Sequence, residues 1–425
     1  MLVATALVLS MTPALGFFYG GMVRAKNALN TMMMSFSALG FVGLAWALVG
    51  YSLAFSSGNG ALGGVDRALL RGVGLEAQGT IPHVLFMAYQ GTFAIITAAL
   101  ISGAIVERMR FGPYIAFITL WSVLVYAPIA HWVWGGGWLA RLGALDFAGG
   151  TVVHINAAAA AVVAAVVVGS RKDYARQAIL PQSVPFTLLG TGLLWLGWFG
   201  FNAGSALGAN SIAALAFVNT MLAPMGTLVA WTLLDLTRTG KATAVGAATG
   251  IVVGLVAITP AAGFVSPMSA VVLGVLAAFP SYYALLFRAR TRLDDSLDVL
   301  AAHGVGGTVG AMLTGVLAQK TWSGAADGLV FGNPRQVLVQ AVAVLAAAIY
   351  SVAVTFVILK ALGAVVRLRA DMRDEGLGLD VSQHGEEAFG RSEGAVLVFP
   401  EEAPEGTAEQ RMLAPASAAA QGGSE

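Results

Sequence analysis

Three side chains sit where side chains of their kind are rare. In Gly143 to Ala157, GALDFAGGTVVHINA, Asp146 and His154 open an otherwise apolar run. His303 stands alone among Ala, Gly and Val in VLAAHGVGGTVGAM. A charged side chain at membrane depth costs about 2.5–3.5 kcal/mol on insertion scales, so such residues usually face a cavity or a partner. Asp146 is followed by Gly149-Gly150, where a helix can begin. There a carboxylate can accept from the first free amides and sit at the positive end of the helix dipole. Two readings of Asp146 stay open: a cap and nothing more, or a cap whose charge also serves a site. His154 follows eight residues later, a little over two helical turns, so both look roughly toward one side. Histidine is the side chain suited to relaying a proton near neutral pH. The plainer alternative is a core histidine. A second intramembrane histidine weakens that alternative for His154.

A second group is aromatic. One span ends in HWVWGGGW, which gathers His131, Trp132 and Trp134; for Trp132 and Trp138 anchoring at the membrane interface is explanation enough. An earlier span carries Tyr89-Gln90-Gly91-Thr92-Phe93, and a later one ends in WLGWFGFNAGSA. In the latter, Trp198, Phe201 and Ser205 are three and four residues apart and share one helical face. A stripe of aromatics is more often packing than pore. Ser205, a hydroxyl one turn beyond an aromatic at the mouth of a span, raises the prospect of a pore.

The elements that position these groups follow from composition. The chain has 425 residues, 57% hydrophobic and 11% charged, with a mean hydropathy of +0.79. Soluble domains carry about 25% charge, so this is a polytopic all-α membrane protein. The absence of cysteine excludes disulfides, thiolate chemistry and Cys metal ligands. A net charge of +1 gives no footing for nucleic acid. No metal cluster, nucleophile–base pair or phosphate loop is legible, so neither an enzyme nor a cofactor or metal is expected. The 53 glycines suit closely packed helices, and no cleavable leader pattern precedes the first span.

Eleven apolar spans are expected, at 1–20, 28–55, 82–105, 112–133, 150–169, 183–204, 209–236, 243–259, 267–287, 299–318 and 337–363. With the amino terminus outside, the inner loops hold twelve basic residues, from Arg24 and Lys26 to Arg288, Arg290 and Arg292. The outer loops hold five: Arg67, Arg71, Arg141, Lys320 and Arg335. That bias predicts an external amino terminus and an internal tail. His154 and His303 each fall in the fifth span of a five-span block, and an odd count inverts the second block. The layout is that of an inverted repeat with a site between its halves. A difficulty follows: the two histidines lie near opposite ends of their own spans, well apart across a core of about 30 Å. They can meet only if both helices start deep.

With both histidines in view, the chain resembles the ammonium transporter family, the methylammonium permeases related to Rhesus proteins. The likeness covers about residues 1–390 and rests on FYGGMVRAKN, DFAGGTVVHINAA, GWFGFNAGSA, LAFVNT, TPAAGFV, DDSLDV with HGVGG, and GLDVSQHGEEAF, in order. The resemblance implies eleven transmembrane helices, two inverted five-helix repeats plus an eleventh, in a trimer with one pore per subunit. It implies an ammonium recruitment site of Trp134, Ser205 and Phe93, with Asp146 beneath it. Phe93 and Phe201 would be a stacked gate, His154 and His303 the pore pair, and Trp198 and Thr259 further pore-region positions. A cation–π cage can hold ammonium, and an apolar pore beyond it penalises any ion that keeps its charge. Shedding the proton removes that penalty and rejects potassium. The resemblance further implies a bacterial inner (plasma) membrane location and a PII-type signal protein on the cytoplasmic tail, answering nitrogen status.

The domain expectations are a transmembrane unit over 1–363, a regulatory tail over 364–390 and an acidic disordered extension over 391–425. The amino-terminal segment is shorter than the resemblance implies, so the first span is expected either to be clipped or to start abruptly. Two alternatives remain. A sensor would signal through its tail, and no recognisable signalling domain follows the eleventh span. A Rhesus-type pore for other neutral gases fits less well with Trp134, Ser205 and the short tail.

Overall fold

The computed structural model describes residues 1–389; the extension expected over 391–425 lies outside them. Eleven apolar helices follow one another: α1 Leu2–Met22, α2 Ala25–Phe55, α3 His83–Ala104, α4 Phe111–Leu142, α5 Gly150–Val168, α6 Val184–Gly204, α7 Ser211–Thr239, α8 Ala244–Ile258, α9 Pro267–Arg288, α10 Leu300–Leu317 and α11 Arg335–Val365. Ten have 18 residues or more and are apolar enough to cross a membrane. The 15 residues of α8 span only about 22 Å, because Pro260 cannot continue the hydrogen-bond ladder. The expected spans match these helices in number and order. The largest difference is in α4, which breaks at Trp134 to Gly137 and resumes as a short helix, Trp138–Leu142. Between α2 and α3, Ala77–Gln78 pairs with Ile81–Pro82 as a small antiparallel ladder.

Helices α1 and α6 press together through small residues. A side chain on Gly200 would lie 2.7 Å from Leu7 Cβ and 2.8 Å from Ala4 O, closer than packing allows. Large apolar residues remain exposed around the outside, such as Leu44 at 67% and Ile349 at 66%. A surface of that kind suits lipid rather than water.

The first turns of α5 and α10 are where the fold departs from regularity. Each opens with six residues of π-helix, Gly150–Ile155 and Leu300–Val305. They run antiparallel in contact, Gly307 beside His154 and Gly304 beside Ala158. Each is capped by an aspartate eight residues before its histidine. Asp146 accepts from Gly150 N at 2.6 Å and Thr151 N at 2.8 Å; Asp295 accepts from Leu300 N at 2.7 Å and Val299 N at 3.1 Å. The two helices therefore begin inside the molecule, which resolves the difficulty raised by the spans. Non-helical backbone at that depth needs its polar groups satisfied. For the loop before α5, α11 does this: Gln340 binds Leu145 N and O at 2.8 and 2.7 Å, and Gln336 Nε2 donates to Gly143 O at 3.0 Å. Phe147 N donates to Pro260 O at 3.1 Å.

At the end where the tail emerges, the loops knit around buried ions. Arg171 bridges Glu107 and Asp294, both at 2.8 Å, and Arg24 reaches Glu107 at 3.0 Å. Arg108, fully buried, donates to Gly169 O, Ala104 O, Asp294 O and Ser296 Oγ, all within 2.7 Å. The tail lies over this layer. Ala370 N donates to Arg108 O at 2.8 Å, Lys26 Nζ donates to Glu375 O at 2.9 Å, and Asp380 caps α2 through Asn30 N at 2.7 Å.

Candidate functional site

A line of side chains runs through the middle of the bundle. At one end is a vestibule of about 290 Å³ lined by Phe93, Trp134, Phe147 and Ser205, with Phe55, Phe86 and Gln90. Trp134 is held there because its Nε1 donates to Asp146 O at 2.9 Å. Its ring meets Phe93 edge-on, centroids 5.9 Å apart. Ser205 Oγ donates to Phe201 O at 2.9 Å, which leaves its lone pairs free to accept from a cationic N–H. Asp146 stands apart from the lining. Its two oxygens are occupied by the amides of Gly149, Gly150, Thr151 and Val152 and by the Thr151 hydroxyl. It can act on a cation only through its field and through the tryptophan it steadies. Gly149, at φ +125, makes the turn that wraps this backbone round the carboxylate.

Below the vestibule Phe93 and Phe201 stack, centroids 4.1 Å apart at 28°, and both are 1% exposed. They close the way between vestibule and interior. His154 follows, stacked on Trp198 with centroids 5.5 Å apart; Trp198 Nε1 donates to Thr259 Oγ1 at 2.9 Å. His154 and His303 face each other through Nδ1, 3.2 Å apart. A small cavity of about 20 Å³ adjoins both rings, Phe201, Trp198 and apolar side chains. His303 also lines a second vestibule of about 340 Å³ at the opposite end, with Asp235, Tyr282 and Asp298.

The Nδ1–Nδ1 contact constrains the protons. One ring must donate from Nδ1 and the other must accept there, so the acceptor carries its hydrogen on Nε2. One Nε2 then offers a lone pair and the other an N–H. Among the described residues His154 Nε2 has no partner although it is buried. The pair presents a donor and an acceptor along an otherwise apolar passage. Groups able to hold a metal, three or more His, Cys, Asp or Glu together, are absent among the described residues.

Comparison with known proteins decides the family. The Ammonium Transporter Family matches residues 1–389. The chain belongs to the ammonium transporter family. It is 46% identical to an ammonium transporter of Bacillus subtilis over 92% of this chain and 97% of that one. It is 50% identical to one of Aquifex aeolicus, covering 92% of each. Among solved structures it resembles Candida albicans Mep2, with a TM-score of 0.84 and 39% identity over 91% of this chain and 88% of that one. It also resembles a sensor Amt protein, with a TM-score of 0.84 and 30% identity over 90% and 96%. The relatives are named as transporters rather than enzymes, and the chain is a multi-pass membrane protein of their kind.

All nine residues singled out from the sequence fall along this line or next to it. The structure adds Gln336 and Gln340, which hold the loop before α5, and Tyr89, whose hydroxyl donates to Phe201 O at 2.8 Å and lies 3.3 Å from Ser205 Oγ. Two glutamines in an apolar span are a signal of the same kind as the histidines. They were readable as costly polar residues, though not as partners of Gly143 and Leu145.

Proposed function

We propose that this chain moves ammonium across a membrane by taking up the cation in the Trp134 vestibule, removing its proton and passing ammonia along the histidine pair. The observation that supports this most is the Nδ1–Nδ1 contact, which leaves one acceptor and one donor nitrogen in an apolar passage. At the aromatic stack ammonium passes one proton to the acceptor nitrogen of the histidine pair, whose His154 ring lies 6.2 Å from Phe201, and becomes ammonia, which moves on without the penalty of a buried charge. The proton travels through imidazole nitrogens toward the second vestibule. Potassium has no proton to lose and is turned back.

In the same reading the chain works as a homotrimer in a bacterial inner membrane, with its amino terminus outside and the tail in the cytoplasm. Twelve basic residues in the inner loops against five in the outer ones support that orientation. A PII-type signal protein would meet the tail face. A sensing role is the second reading, favoured by the likeness to the sensor Amt protein. Uptake of radiolabelled methylammonium into cells lacking their own transporters separates the two. Saturable uptake that ammonium competes away is expected. Ammonium binding by purified protein without any uptake would replace transport by sensing.

A further inference from the structure

The linker between α6 and α7, residues 205–210, holds a leucine in a backbone conformation that suits glycine. Ser205 N, Ala206 N and Leu207 N donate to Asn202 O, Ala203 O and Gly204 O at 3.1, 3.2 and 2.8 Å, so the end of α6 tightens into i→i+3 turns. Leu207 closes that winding at φ +54, in the left-handed region. A Cβ is crowded there, which is why helices so often end on glycine. Gly208 follows directly and is not left-handed, so the strain falls on the leucine.

Two neighbouring elements hold it in place. The Leu207 carbonyl accepts from the Thr80 hydroxyl. Thr80 stands at the tip of the small ladder between α2 and α3, in the two-residue turn Gly79-Thr80. Gly79 takes φ +64, which a hairpin turn of this kind asks of its first residue. The far end of the linker is fixed by Asn210, whose Oδ1 caps α7 through Ala213 N at 2.9 Å. The Leu207 side chain then lines the Trp134 vestibule, two residues on from Ser205. Of the six non-glycine residues with positive φ among the described residues, it is the one that does so. Strain of this sort persists where the surroundings over-determine it, and it gathers at ligand clamps.

We propose that Leu207 is a specificity-determining lip of the cation site, with Thr80 as the residue that positions it. The leucine side chain fills the room beside Ser205 that the alkyl groups of a substituted ammonium would need. The proposal rests on the recruitment reading of the Trp134 vestibule. Ammonium needs no such room, because all its substituents are N–H donors and the Ser205 hydroxyl can accept from one of them. Each methyl group replaces a donor by bulk that must displace the leucine.

Competition by ammonium and by trimethylammonium against radiolabelled methylammonium tests this. It is read both in uptake by cells lacking their own transporters and in displacement from the purified full chain. The quantity compared is the half-inhibiting concentration of trimethylammonium divided by that of ammonium. Wild type should show a ratio well above one. In Leu207→Ala and Leu207→Gly the ratio should fall about tenfold, the worth of roughly two methyl groups given apolar room. Thr80→Val keeps the shape of the positioning side chain without its hydroxyl and should lower the ratio about threefold. Leu207→Met keeps the bulk and should hold the wild-type ratio. Leu207→Gly should unfold at no lower temperature than Leu207→Ala, since glycine relieves the left-handed backbone; a lower midpoint would contradict the strain on which the assignment stands. Should Leu207→Gly fail to fold, Leu207→Ala and Thr80→Val carry the comparison. An unchanged ratio in those two would overturn the proposal and leave Leu207 as a helix terminator. A raised ratio would do the same, making the leucine a contact for methyl groups. Displacement without uptake removes only the transport reading, and the ratio on the purified chain still decides. Neither uptake nor displacement by wild type would remove the recruitment reading, and this proposal with it.

Discussion

At the scale of residues, His154 and His303 matter as a pair. Each supplies the partner that fixes the other's proton at Nδ1, so removing either leaves an unpaired ring in an apolar passage. Currents through reconstituted His154→Ala and His303→Ala should show reduced ammonium flux or lost discrimination against potassium. The double variant should fall short of the summed effects, since the two act as one unit. Wild-type current and wild-type potassium rejection in both single variants would reduce the rings to filler. Trp134 is the large aromatic face of its vestibule. Trp134→Leu should raise the half-saturating concentration of methylammonium uptake about two- to thirtyfold, the range of one cation–π contact. Ser205→Ala should cost about one hydrogen bond, roughly fivefold. An unchanged concentration dependence in Trp134→Leu would move recruitment elsewhere.

At the scale of elements, the deep starts of α5 and α10 are the costly feature, and each is held from outside its own segment. Gln340 and Gln336 on α11 hold the loop before α5. The Arg108 layer holds the loop before α10, through Asp294 O and Ser296. The same layer carries the tail, so the tail and the first turn of α10 share a support. Burial alone would raise the Glu107 and Asp294 carboxyls. Arg171 with Arg24 on the first, and Arg171 with Arg108 on the second, reverse this and hold both below their ordinary values. Depressed carboxyls stabilise the fold at pH above their unfolded values and cease to do so as pH falls through the folded ones. Thermal stability should therefore be insensitive to this cluster between pH 6 and 8, then drop as pH falls below about 4. Limited proteolysis near residues 366–372 should accelerate over the same acid range. A tail equally protected at pH 7 and pH 3.5 would show that the ions do not hold it.

At the scale of the whole molecule, the basic bias of the loops predicts that a reporter fused after residue 389 reads as cytoplasmic. An external signal there would reverse the membrane orientation. Much of this molecule was open to reading from its residues alone. Hydropathy determined the lipid solvent and eleven spans, because a segment that crosses a bilayer must be apolar along its own length. The isolated imidazoles and the Asp146 cap were visible for a local reason too: ionisable groups have no cheap place among Ala, Val and Gly. Tertiary structure alone decided what these residues do to one another. His154 and His303 are 149 positions apart and lie near opposite ends of their spans, yet their Nδ1 atoms are 3.2 Å apart. That meeting depends on Gln340, 195 positions beyond Leu145, and on π-helical first turns that no hydrophobic period announces. It was likewise packing that stacked Phe93 on Phe201. Periodicity records which face of a helix avoids water, whereas the depth at which a helix begins is set by distant side chains that satisfy the backbone before it.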